Sequence, residues 1–223
     1  MTPEDRKRTD ELVKTGEIAE ALRSYQKAYL QNPTDEDALL GIAQCAWMLD
    51  NTDVALEFFV KLLVVNHHHP WGYLGRGMVL LQANASEQGL RDIHRALEID
   101  SPPTEMRIDA AAALNANGLP DEALQALLPI RKQFIDDPDF RMEWLTALIA
   151  IQDYNHPDIL EILDEELSRD RDESEIDLRY FYELCNFARL EDCGRLPTSS
   201  GLMDAIVRNC PDLTDRAQML AAI

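Results

Sequence analysis

The chain has 223 residues, 41 acidic against 21 basic, and a formal net charge of −20. So acidic a balance argues against nucleic acid and disfavours anionic membrane surfaces as partners, because their phosphates would be repelled. No apolar run is long enough for a transmembrane helix, and the charged start MTPEDRKRTDEL is no secretory leader, so a cytoplasmic protein is expected.

Helices are predicted over 4–14 and 18–31, the second beginning just after Gly16. Asn32, Pro33, Thr34 and Asp35 form a turn that ends in a helix-capping residue. The next pair covers 36–49 and 52–65, with Asn51 and Thr52 as break and cap. His67, His68 and His69 then make a turn before Pro70, a good first-turn residue. Helices follow over 70–83 and 86–99, the latter capped by Ser86. Ser101, Pro102 and Pro103 stop the chain sharply, and a fourth pair spans 104–116 and 120–135 around Gly118 and Pro120.

These pairs are copies of one unit. Ala21, Ala55, Gly89 and Ala123 stand 34 residues apart, each followed after four residues by Tyr25, Phe59, Ile93 or Leu127. Ala28, Leu62, Ala96 and Ile130 come three further on. The spacing i, i+4, i+7 is one helix face. The small residue admits a second helix closely, and the bulky one fills the gap between helices. A lone helix pair cannot bury its apolar stripe, so such units stack.

Past Pro138 the period decays. Residues 139–168 read as a degenerate fifth helix pair, with Trp144, Leu145, Leu148 and Ile149 on its first helix. Residues 161–177 hold nine acidic and two basic side chains, a solvated face or a docking patch for a basic partner. Residues 169–223 carry further apolar helices, expected to cap the array or to make a homodimer.

The repeats resemble the tetratricopeptide repeat (TPR) family. Gly16, Glu20, Ala21, Tyr25, Ala28 and Pro33 meet its second-helix pattern, and Ala43, Gly77 and Gly118 recur in later repeats. Arg76 departs from it, standing where the family prefers Leu. The resemblance implies an all-α fold, an α–α superhelix or TPR solenoid of four repeats over residues 4–138, with a helical C-terminal cap.

It also implies a function. In this family the second, fifth, ninth, twelfth and thirteenth residues of each first helix face a concave groove. Carried over, these are Pro3, Arg6, Asp10, Val13 and Lys14, then Asp37, Leu40, Gln44, Trp47 and Met48. Trp71, Leu74, Met78, Leu81 and Gln82 follow, then Glu105, Ile108, Ala112, Asn115 and Ala116. The Lys, Arg and Asn clamp by which family members grip acidic tails is missing. An apolar stretch stands there instead, so Leu40, Gln44, Trp47, Met48, Trp71, Leu74, Met78, Leu81, Ile108 and Asn115 are the expected partner-binding residues. The alternatives are that the chain's own C-terminal tail fills the groove, or that the register is shifted by one and these residues are ordinary core.

No motif for catalysis is present, and neither a cofactor nor a metal is expected. The three histidines lack fixed co-ligands, and Cys45, Cys185, Cys193 and Cys210 form no C-x-x-C pair and read as reduced thiols. The expected function is a non-enzymatic scaffold or chaperone that takes an apolar or amphipathic protein segment. Two alternatives come from resemblance. The stretch Phe59 to Gly77 is similar in layout to type III secretion chaperones of translocator proteins, and TPR arrays also precede transferase domains as helper regions.

Overall fold

The computed structural model describes residues 2–135 and 137–151, and these are all-α. They fall into two compact units, Met1–Ala113 and a second that begins at Leu114. The expected helices beyond residue 151, the acidic run and the three later cysteines lie outside the described residues.

The first unit holds α1 (Pro3–Lys14), α2 (Ile18–Gln31), α3 (Glu36–Met48), α4 (Thr52–Val65), α5 (Pro70–Gln82) and α6 (Ser86–Glu98). Each helix packs on the next, and α3 also touches α5, one repeat further on. α7 (Thr104–Ala116) runs across the boundary between the units. The second unit continues with α8 (Pro120–Leu127), a 3-10 turn at Leu128–Ile130, α9 (Arg131–Phe134) and α10 (Pro138–Ala150). Within it α8 packs on α10, whose first turn is capped by the Asp137 carboxylate accepting from the Phe140 N–H at 2.9 Å.

Two turn types repeat with the sequence. Inside each repeat the chain reverses through one left-handed residue, at Gly16, Asp50, Asn84 and Gly118, with φ of 81, 58, 61 and 74°. These four positions are again 34 apart. In each case the following N–H reaches back five residues: Glu17 to Leu12, Asn51 to Ala46, Ala85 to Leu80, Leu119 to Leu114, at 2.8–3.0 Å. This is a Schellman end, which satisfies the helix's last carbonyls with backbone alone. It needs a residue that tolerates positive φ, hence Gly, Asn or Asp.

Between repeats an asparagine does the work. Asn32 Oδ1 accepts from the Thr34 N–H and Asn66 Oδ1 from the His68 N–H, at 3.2 and 3.0 Å. Asp35 and His69 then cap α3 and α5, accepting from the N–H groups of Ala38 and Gly72 at 3.0 and 3.1 Å. The histidine run is thus an inter-repeat turn ending in a cap.

The core follows the predicted small and bulky positions. Ala21, Ala55, Phe59, Ile93, Ala96 and Leu127 are all at most 1% exposed. The aromatic of one repeat lies on a glycine of the next: Tyr25 on Gly41, Phe59 on Gly75. A Cβ at either glycine would overlap the ring. Burying a ring the size of Phe59 is worth about 1.5–3 kcal/mol, so these junctions hold neighbouring repeats together.

Three expectations need correction. The helix over 120–135 is broken, because Pro129 has no N–H to give the carbonyl of Gln125 and its ring crowds that turn. Asn51 stands at the N-cap of α4 without a side-chain bond. Ser86 is already inside α6, with Ala85 at the cap. The Schellman bonds to Asn51 and Ala85 fix these helix starts instead.

Candidate partner-binding face

The expected groove residues of repeats two and three sit on α3 and α5 of the first unit. On α3, Gln44 is exposed and Met48 is 55% exposed. Leu40 and Trp47 are half-buried, resting on a cluster of Ala43, Ala46, Ala55, Phe59 and Val79. On α5, Trp71, Met78 and Leu81 are half-buried and Gln82 is exposed.

Two contacts tie these faces across repeats. The Trp47 indole Nε1 donates to Gln82 Oε1 at 2.8 Å. Arg6 Nη1 pairs with Asp37 Oδ2 at 2.7 Å, joining repeats one and two. All four residues are expected inner-face positions, so these first helices turn the same side toward one another. The Arg6–Asp37 pair is exposed and adds little stability.

Leu74 and Ile108 do not reach a surface. Leu74 is 1% exposed, because α3, α4 and α6 all close on α5. Ile108 is 9% exposed, on a helix whose buried residues Met106, Ala110, Ala111 and Leu114 occupy more than one face. Leu81 is held from behind, lying against Gly89 of α6. Asn115 belongs to the second unit, where its Nδ2 donates to the backbone oxygen and to Oε2 of Glu143, both at 2.9 Å. Leu49, 45% exposed beside Met48, extends the apolar surface and was not among the expected residues. It could have been found as the apolar residue that ends the helix just before the left-handed turn.

The electrostatics of the face are quiet. From Leu40 to Gln82 its positions on α3 and α5 carry no charge. Behind it Cys45 is buried, and burial pushes its thiol up to about 11, so it stays protonated and unreactive at neutral pH. Burial, and then the neighbouring Asp10 carboxylate, raise Tyr25 above its ordinary range, and its hydroxyl donates to Asp10 at 3.2 Å. His69 is held below its usual value by burial, opposed by Glu36 and Asp37. Among the described residues no group of three or more His, Cys, Asp or Glu could hold a metal ion. Nor is any helix among them long and apolar enough to cross a membrane.

Paired helices that repeat every 34 residues define a helical-repeat protein of the α–α superhelix class. Residues 12–70 match the tetratricopeptide repeat family model. No curated protein sequence matches. Among solved structures the chain is similar to PilW, a widely conserved type IV pilus biogenesis factor. The TM-score is 0.72 at 15% identity, over 97% of this chain and 96% of that one. It is similar to PilF of Pseudomonas aeruginosa, with TM-score 0.69, 14% identity and 98% and 96% coverage. YrrB, a TPR protein with an unusual peptide-binding site, follows with TM-score 0.59, 19% identity and 89% and 96% coverage. At such identities the likeness is one of fold.

Proposed function

We propose that this chain is a non-catalytic protein–protein interaction scaffold, and that the α3 and α5 face takes an apolar or amphipathic segment of a partner protein. The observation that carries the reading is the uncharged, apolar run of Leu40, Trp47, Met48, Trp71 and Met78 on two successive first helices of an otherwise strongly acidic chain. Trp and Met are suited to the task, one as a rigid anchor and the other as an adaptable contact. The peptide-binding site of YrrB, a neighbour in fold, adds support.

The test is selection of displayed peptides against the chain. Apolar or amphipathic sequences are expected, and their binding should persist at raised salt because little charge is involved. Met48→Glu with Met78→Glu should abolish binding while the helical circular dichroism stays unchanged. Selected peptides that are highly charged, or that bind the double variant as well as the parent, would overturn the reading.

A further inference from the structure

On the far side of α5 lies a second surface of opposite character. At about 100° per residue, Arg76 and Leu80 project about 160° away from Met78, so they face away from the uncharged side of that helix. They form the floor of an open pocket of about 600 Å³ between α4 and α6. Leu56 and Val60 of α4 make one wall, and Val60 is 41% exposed. The other wall is α6, with Gln88, Arg91, Asp92 and Arg95 on a single face.

The charges here run against the rest of the molecule. The lining holds three guanidinium groups and one carboxylate, in a chain of net charge −20. The carboxylate is already engaged: Arg76 Nε and Nη2 donate to Asp92 Oδ2 and Oδ1 at 2.6 and 2.7 Å, a bidentate pair that uses both oxygens. Arg91 and Arg95 are left with neighbours on their own helix, Glu87 at 3.8 Å and Glu98 at 3.3 Å, all well exposed. Exposed pairs of that spacing are weak and readily exchanged for a better-placed carboxylate.

We propose that this pocket is a second docking site, for a partner segment in which an apolar side chain is flanked by carboxylates. The apolar side chain would rest on Leu56, Val60 and Leu80, and the carboxylates on Arg91 and Arg95. The net charge of −20 disfavours an acidic peptide overall, so a local excess of guanidinium groups such as this one is what favours its binding here.

The probe is a labelled, end-blocked peptide in which glutamates flank a single leucine, read by fluorescence anisotropy against its lysine-flanked counterpart. The glutamate peptide should bind, more weakly as salt rises, and the lysine peptide should not bind at this site. Arg91→Glu with Arg95→Glu, at exposed positions that leave the fold intact by circular dichroism, should weaken the glutamate peptide about tenfold or more and admit the lysine peptide. Val60→Asp should weaken the glutamate peptide as well, whereas Met48→Glu on the uncharged face should leave it unchanged. Equal binding of both peptides by the parent, or loss through Met48→Glu alone, would overturn the proposal. So would displacement by inorganic phosphate at matched ionic strength, which would reduce the pocket to a simple anion site.

Discussion

Repeats two and three solve the same packing problem with different chemistry. In repeat two, α3 and α4 meet through Ala43 and Ala55, both fully buried, and Ile42 and Phe58 join the apolar core beside them. The residues 34 further on are Gly77, Gly89, Arg76 and Asp92. With no Cβ on either glycine, α5 and α6 come so close that a methyl added at one would lie 2.8 Å from the backbone oxygen of the other. That approach brings Asp92 beside Arg76, and an ion pair stands where the preceding repeat has an apolar contact. One register can therefore carry either an oily or an ionic seam, provided the helix spacing adjusts to it.

The largest expected effect breaks the ionic seam. Asp92→Phe copies repeat two on one side only and strands the Arg76 charge. The cost should fall at the lower end of about 3–5 kcal/mol, because Arg76 keeps 27% side-chain exposure and can turn toward water. Adding Arg76→Ile completes the copy, and the double variant should return to within about 1 kcal/mol of the parent. Chemical denaturation of the three proteins decides it. A double variant no better than the single would show that the pair is not a self-contained unit.

Next comes crowding of the close contacts. Ala55→Leu should overpack repeat two by about 1–3 kcal/mol. Gly89→Ala should also destabilise repeat three, although alanine is the better helix former by about 1 kcal/mol, because the added methyl meets backbone that cannot swing aside. A raised thermal midpoint for Gly89→Ala would mean that the glycine pair is dispensable.

Smaller still is the polar tip that separates Tyr25 from its counterpart Phe59. Tyr25→Phe removes the bond to Asp10 and should cost about 0.5–1.5 kcal/mol. An unchanged denaturation midpoint would mean that the bond is exchanged for water at no loss.

The smallest effect is in the turn between these repeats. Neutral His69 accepts a backbone N–H through Nδ1, and its folded pKa lies below the ordinary 6.5. As pH falls through about 6.5, the unfolded chain takes up this proton before the folded one does, so the stabilisation present above that pH is progressively lost. His69→Asn keeps a capping acceptor and should remove this component of the pH dependence. Parallel pH profiles for the two proteins would contradict it.

Most of the helical framework was legible in the sequence, because helix pairs repeat a physical requirement: Ala21, Ala55 and Ala123 must be small wherever backbones approach. The left-handed set Gly16, Asp50, Asn84 and Gly118 was also there to be read, yet only its glycines look unusual one at a time. Pro129 sits inside a pattern whose apolar spacing continues past it, so periodicity alone hid the break. Leu74 shows a different limit. A register assigns it a direction, but its burial depends on how closely three other helices close on α5. Arg76 stood out as a departure, while its partner lay sixteen residues away on a helix whose distance only the glycine pair sets.

The recurring Schellman turn makes the array cut-and-paste at the level of the gene. Asp50 and Asn84 hold the same left-handed conformation, and the residue after each bonds back to the equivalent carbonyl. Excising residues 51–84 would join Asp50 to Ala85 and rebuild the same reversal, since no side chain enters its hydrogen bonds. Unequal recombination between two such copies would lengthen or shorten the protein by a whole helix pair without creating a foreign loop.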